Sequence, residues 1–267
     1  MRDFDLIVHQ FYGGHDITIK PIADVHLGSE GCMEQDFIRF VRQILDTPNQ
    51  YVILAGDLLD NAVKSSIGNV YRATIPPMEQ KIMMCKILEP LAQDGRILCI
   101  VPGNHERRSR ETDSDPTYDI AAKLNLEHLY RESIAFLKIQ MGVEKYENGN
   151  RVRGELRPTY SLAVIHGAAG GQFAGSVVNR GERFALAMDG VDCLIMGHSH
   201  RPWTTQSAKL KVDTKNNVVS VTDFKVISAS SWLNYVGYPI QKMLPPSAHC
   251  EQVLKLSGKS KQMKVEM

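Results

Sequence analysis

Tyr51-Val52-Ile53-Leu54-Ala55-Gly56-Asp57-Leu58-Leu59-Asp60 opens as a short apolar run with β-branched residues and breaks off at Gly56-Asp57. A run of that length and composition reads as a strand buried on both faces of a sheet. Glycine lets the backbone turn sharply where the strand stops, and an aspartate there faces whatever sits over the sheet's carboxyl edge. By itself Gly-Asp is an ordinary strand-ending turn. Here it has company. Asp24-Val25-His26, Gly103-Asn104-His105-Glu106, His166-Gly167 and Gly197-His198-Ser199-His200 each follow a strand-like apolar run in the same way. Five strand ends that deliver oxygen or imidazole groups point to a metal site.

Size and composition bound the rest. The 267 residues suffice for one large domain with a substantial core, and no repeat or low-complexity linker divides them, so a single domain over residues 1–267 is predicted. Thirty-one lysines and arginines against thirty acidic residues leave no global electrostatic drive toward nucleic acid or a membrane surface. Met1-Arg2-Asp3-Phe4-Asp5 carries acid where a secretion signal would be basic and then apolar. No apolar run approaches the ~20 residues of a membrane span. The five cysteines are scattered, without a C-x-x-C pair, which argues against a zinc ribbon or disulfide scaffold and for a reducing, cytoplasmic setting.

In chain order, residues 1–16 read as an accessory strand from Phe4 to His9, with Gly13-Gly14 as a hairpin turn into the next strand. Ile17 to Ala23 is the first core strand and empties into Asp24-Val25-His26, where residues two apart share one side of an extended chain. Glu34 to Leu45 has the spacing of a one-faced helix, with Phe37, Ile38, Val41, Ile44 and Leu45 inward, and predicts a right-handed crossover to the Tyr51 strand. The polar loop that begins at Asn61 leaves the same edge as Asp57 and overhangs the site. Met78 to Leu91 is the next helix, with Met78, Ile82, Met83, Ile87 and Leu91 on one side and Pro90 as a kink or stop. Ile97 to Val101 is a third buried strand. Asp115-Pro116 starts a helix that runs to about Leu124. Ile134 to Met141 and Tyr160 to Ile165 are strands joined by a charged, protruding hairpin, Glu144 to Arg157, that turns at Asn148-Gly149. Glu182 to Met188 reads as a short helix, Asp192 to Met196 as a strand, and Arg201-Pro202-Trp203 as its stop. From Leu210 onward, alternating runs predict a second, more antiparallel sheet, followed by a basic tail over 257–267.

The candidate ligands are carboxylates, an amide oxygen and imidazoles, with no thiolate, a set that suits manganese, iron or zinc as divalent ions. There are too many for one ion. Two ions sharing one carboxylate is the economical arrangement, and such pairs clamp the attacking and leaving oxygens of a phosphoryl centre. Asn104 and His105, side by side, suit one ligand and one catalytic group. The run Arg107, Arg108, Arg110, with its neighbouring acids, is either a solvated loop or a grip for phosphate.

The ordered set D-x-H, G-D-x-x-D, G-N-H-E, H-G and G-H-x-H, over Ile17 to His200, resembles the calcineurin-like metallophosphoesterase superfamily. The resemblance implies an α/β fold, a four-layer αββα sandwich of two mixed sheets flanked by helices. It implies that Asp24, His26 and His200 hold one metal, that Asn104, His166 and His198 hold a second, and that Asp57 bridges them. His105 would assist the leaving group, and Asp60 would orient it. Asn61, Arg107 and Arg108 would line the substrate's edge. The implied activity is hydrolysis of phosphodiesters by a metal-bridging hydroxide, with two divalent ions, Mn2+ foremost. The implied partner is a phosphate ester, with nucleic acid and nucleotides as candidates and no membrane. Asn61-Ala62 stands where protein phosphatases of the superfamily continue with arginine and glycine, which argues against phosphoprotein substrates. The layout is similar to bacterial and phage phosphodiesterases and to Mre-type nucleases, although those nucleases often carry histidine at the place of Asp60. A phosphomonoesterase and a scaffold that has given up catalysis are the alternatives.

Overall fold

Val52, Ile53 and Leu54 have no solvent exposure in β3 (Gln50–Leu54), which runs parallel to β2 (Ile17–Ile22) on one side and β4 (Ile97–Ile100) on the other. They are apolar on both faces because helices cover one side of this sheet and a second sheet covers the other. The computed structural model describes residues 2–62, 73–109, 115–143, 158–168 and 173–267. The centre of the loop after Asn61, residue Arg110, the charged hairpin from Glu144 to Arg157 and the Gly170-Gly171 pair lie outside the described residues.

The smaller sheet has the order β11-β10-β2-β3-β4, with β10 (Val253–Leu256) and β11 (Met263–Glu266) antiparallel at its edge. The larger has the order β1-β5-β6-β7-β9-β8. Its members are β1 (Ile7–Tyr12), β5 (Ile134–Val143), β6 (Thr159–Ile165), β7 (Cys193–Met196), β8 (Trp203–Asp213) and β9 (Val218–Ser228). Residues of both sheets share one core, from Ile19, Ile53 and Leu254 to Leu137, Leu162 and Ile195. α1 (Glu34–Asp46) and α2 (Pro77–Gln93) pack with each other beside the smaller sheet. α4 (Pro116–Lys123) lies against α2, and α5 (Ala174–Leu186) covers β7, β8 and β9. The result is the four-layer αββα sandwich.

Several local expectations are corrected. β1 does not turn as a hairpin into β2; it joins the other sheet as a parallel neighbour of β5. Gly13 and Gly14 therefore carry the chain from one layer to the other. The strands after Leu210 do not form a sheet of their own. β8 begins at Trp203, which starts a strand rather than stopping one, and pairs with β9 in the larger sheet. β10 and β11 close the smaller one, so residues beyond 257 form an edge hairpin tied by Lys255–Glu266 and Lys261–Asp192 ion pairs instead of a free tail. α2 buries Gln80, Met84, Leu88 and Leu91, leaving Met78 and Ile82 exposed, because the buried Gln80 draws that side of the helix inward. Pro90 sits in the last turn, and the helix continues to Gln93. α5 starts at Ala174, a full eight residues before Glu182. No helix among the described residues is long and apolar enough to cross a membrane.

Candidate metal centre

β2, β3 and β4 of the smaller sheet and β6 and β7 of the larger one end at the same edge. Asp24 and His26 follow β2, Asp57 follows β3, and Asn104 and His105 open the single-turn α3 (Asn104–Arg107) after β4. From the other sheet, His166 follows β6, and His198 and His200 follow β7. At the ends of β2, β3 and β7 the chain turns through backbone angles that most residues avoid. Asp24 (φ 53), His26 (φ 47), Asp57 (φ 50), His198 (φ 66) and His200 (φ 54) are all left-handed. Asp24 and His26 thus meet through two successive kinks, not along an extended strand. Such backbone costs about 1–3 kcal/mol per residue and persists only where the surroundings over-determine it. Here they do: Asp24 N–H donates to the Gly56 carbonyl, His26 N–H to that of Asp57 and Gly197 N–H to that of His166. Gly197 also lets the two sheets touch, since a Cβ there would lie 2.6 Å from the Cβ of Ala23 and 2.9 Å from Asp24 Oδ2.

Two donor groups result. In the first, His200 Nε2 lies 3.2 Å and His26 Nε2 3.8 Å from Asp24 Oδ1. In the second, His166 Nε2 lies 3.2 Å from Asp57 Oδ2 and 3.1 Å from Asn104 Oδ1, which is 2.6 Å from His198 Nδ1. His26 Nε2 is 3.8 Å from Asp57 Oδ2, so Asp57 adjoins both. The two aspartates are handled alike. Asp24 Oδ2 accepts the His198 N–H at 2.8 Å, and Asp57 Oδ1 accepts the His105 N–H at 2.8 Å. Each keeps its other oxygen among imidazoles. Asp24 Oδ1 is buried without a hydrogen-bond partner. The Ala55 carbonyl, 2.8 Å from His166 Nδ1, can only accept, so Nδ1 carries a proton, and Nε2 is the nitrogen that offers a lone pair to the cluster once the ring is neutral.

Burial drives the carboxylate pKa values up, yet His200 and His26 hold Asp24 well below the usual range, and His166 does the same for Asp57. Burial and the nearby His105 take His26 down to about 4, and burial with His166 lowers His198. Burial also opposes a charge on His166, but Asp57 overcomes it and raises that residue to about 9. Two ionised carboxylates, an unpartnered buried oxygen, the neutral imidazoles of His26 and His198 and no thiol fit hard or borderline divalent cations.

His105 Nε2 lies 3.9 Å from Asp57 Oδ2, and its Nδ1 is 2.8 Å from the main-chain carbonyl of Asp60. The carboxylate of Asp60, expected to hold that ring, stands further off at 3.6 Å. Burial lowers the His105 pKa, while the charges of Asp60 and Asp57 outweigh it and leave the pKa raised. Of the three residues expected to line the substrate's edge, the structure brings one to the His105 ring. The Arg108 guanidinium is 3.0 Å from His105 Nδ1. Arg107 turns away and donates to the Glu132 carbonyl, since successive residues of a helix point about 100° apart. Asn61 is 2% exposed, and its amide donates to the His105 carbonyl and Ser109 Oγ, so it fastens the end of α3 and lines no open surface.

One residue escaped the sequence reading. Glu106 is fully buried and accepts N–H groups from Gly103, Asp57 and Leu59. Burial and the Asp57 charge push its pKa up, and the N–H groups of Leu59 and Gly103 work against them. The signal for it was the Gly103-x-x-Glu106 spacing, in which a glutamate three residues into a helix reaches back to the capping N–H.

No curated protein sequence matches the chain. Among solved structures it is similar to a conserved uncharacterized protein of Streptococcus pneumoniae described as a predicted phosphoesterase, with 11% identity, TM-score 0.36, 95% of this chain and 99% of that one covered. It is also similar to an NAD nucleotidase of Haemophilus influenzae, with 9% identity and TM-score 0.40, covering 94% of this chain and 49% of that one. A metallophosphoesterase of Sphaerobacter thermophilus is similar at 10% identity and TM-score 0.37, with 93% and 87% covered. Scores this low carry no weight for function. The family model described as calcineurin-like phosphoesterase matches residues 17–202, the stretch that holds every strand end converging on the cluster, and the chain belongs to that family.

Proposed function

We propose that the chain is a two-metal phosphodiesterase, with Asp24, His26, His200 and Asp57 around one divalent cation and Asp57, Asn104, His166 and His198 around the other. The observation that carries this reading is Asp57 Oδ2, among the described residues the one carboxylate oxygen close to imidazoles of both groups. Two such cations, when bound, withdraw charge from phosphoryl oxygens and acidify water near neutral pH. The protein's own part is to hold the donors and to manage the leaving group's proton. His105, with Nδ1 on the Asp60 carbonyl, presents Nε2 toward the cluster, where it can protonate a departing oxygen. Arg108 adds positive charge beside it. A diester carries one phosphate charge and a monoester up to two. With Arg107 turned to Glu132, the described rim favours the less charged ester, including nucleic acid or nucleotide diesters.

The test is a parallel assay of metal-stripped protein reloaded with Mn2+, Fe2+ or Zn2+. Substrates are an aryl diester, an aryl monoester, cyclic nucleotides, and single- and double-stranded DNA. Faster diester than monoester hydrolysis, with Mn2+ most effective, is expected. Two bound metals with no hydrolysis of any ester would overturn the reading in favour of a scaffold.

A further inference from the structure

We propose that Glu106 is a positioning residue that sets the spacing between the Asp57 and Asn104–His105 sides of the metal centre. The inference rests on the metal-centre reading above and concerns what fixes its dimensions. Gly103 and Asp57, from two different strand ends, donate to Glu106 Oε2 at 2.9 and 3.1 Å, and Leu59 donates to Oε1 at 2.9 Å. Three N–H groups on one carboxylate use both oxygens, so a group with a single acceptor oxygen cannot satisfy them all. The contact is also reciprocal. Asp57 gives its N–H to Glu106 and takes the N–H of His105, the preceding residue, on its own Oδ1. The β3 end and the start of α3 are thereby locked from both directions. Gly103 permits the close approach, since a Cβ there would overlap Asp57 Oδ1 and lie 2.6 Å from Asp57 Cγ. Leu59 pins the chain two residues beyond Asp57. With the backbone held on both sides and Oδ1 engaged, Oδ2 is the oxygen left to face His166 and His26. The hydrogen bonds of Glu106 go to main-chain N–H groups and not to the cluster imidazoles, so it acts through Asp57 and α3.

Two variants separate position from charge. Glu106→Gln keeps the size but sets an NH2 against at least one N–H donor. Glu106→Asp keeps the charge but stops one methylene short. Both are compared with the unaltered chain by calorimetric Mn2+ titration of stripped protein, by the spin-coupling signature of the Mn2+ pair in electron paramagnetic resonance, and by amide exchange at Gly103, Asp57 and Leu59. The expected result is Mn2+ affinity reduced ~10–100-fold in both variants, as for loss of outer-shell partners. Weakened spin coupling and faster exchange at the three amides should accompany it. Full affinity in Glu106→Asp would show that charge alone matters, and full affinity in both would reduce Glu106 to a packing residue; either overturns the proposal. If a variant fails to fold, the unaltered chain still decides: the three amides must exchange as one slow group, and a fast amide at Asp57 or Leu59 sinks the idea. An unaltered chain that binds no Mn2+ would instead refute the metal-centre reading, leaving the amide data to judge Glu106.

Discussion

Asp57 Oδ1 accepts the main-chain N–H of His105 at 2.8 Å, so a single oxygen of Asp57 faces the imidazoles. Asp57→Asn should therefore be more damaging than the loss of one ligand. Either its NH2 opposes the His105 N–H, or it turns toward the cations and offers no charge. Metal content should fall below two per chain, and diester turnover should drop by more than the ~10–100-fold typical of an outer-shell change. Two metals per chain and near-normal turnover in this variant would refute the shared-oxygen assignment.

His105→Ala should retain both metals and lose activity according to the leaving group. General-acid help is worth ~10²–10⁴-fold and most for a poor leaving group. Alkyl or nucleotide diesters should suffer heavily and a nitrophenyl diester little. Because the Asp60 carbonyl holds the ring while its carboxylate, at 3.6 Å, helps keep the His105 pKa raised, Asp60→Asn should show a weaker copy of the same pattern. Equal slowing of both leaving groups in His105→Ala would show that the ring stabilises phosphoryl charge and donates no proton.

The two arginines should behave differently. Arg107 is exposed and bonded to a carbonyl outside the cluster, so Arg107→Ala should change stability by no more than about 0.5 kcal/mol and leave kinetics near normal. Arg108→Ala removes the positive charge of a guanidinium that stands beside His105 and donates to the Asp60 carbonyl, and should lower kcat/KM for a diester by about tenfold. Matching kinetics for the two variants would remove Arg108 from the site.

In the metal-free chain, His166 is raised from 6.5 to about 9. A histidine whose folded pKa exceeds its unfolded one adds stability that is fully present below about pH 6.5 and lost as pH rises through 9. His105, also raised, follows the same trend. His26 and His198 are lowered, so they weaken the fold only as pH falls below about 6.5. Stripped protein should thus be most heat-stable near pH 6.5 and less so toward 9. Metal needs His166 without its site-facing proton, so added Mn2+ should raise Tm more at about pH 9 than at 6.5. Thermal unfolding with and without Mn2+ across that range checks this; an equal rise at both ends would contradict it.

The strand ends were legible because a buried parallel strand announces itself by a short apolar run, and the residue after it is committed to one edge of the sheet. Asp24, Asp57, Asn104, His166 and His198 were found that way. What failed was everything that depends on a partner distant in sequence. β10 and β1 have ordinary edge-strand patterns, and nothing in Val253–Leu256 or Ile7–Tyr12 says which sheet will accept them. The buried face of α2 follows Gln80, whose amide donates to the Ile75 carbonyl and whose oxygen accepts the Asn61 N–H. A polar residue inside a helix reads as solvent-facing until its partner is known. For Asp60 the sequence displays only the carboxylate, which stands 3.6 Å from His105, while the main-chain carbonyl that also meets the ring is invisible to it.

The left-handed backbone at Asp24, His26, Asp57, His198 and His200 has an evolutionary consequence. Asparagine, aspartate and histidine are the non-glycine residues most often found there, and glycine adopts it without strain. The positions best suited to ligands are thus also positions where a ligand can be exchanged for glycine with relief of backbone tension. In a chain of this fold released from selection for catalysis, glycine, not a bulky apolar residue, would mark the places where it had let go of its metals.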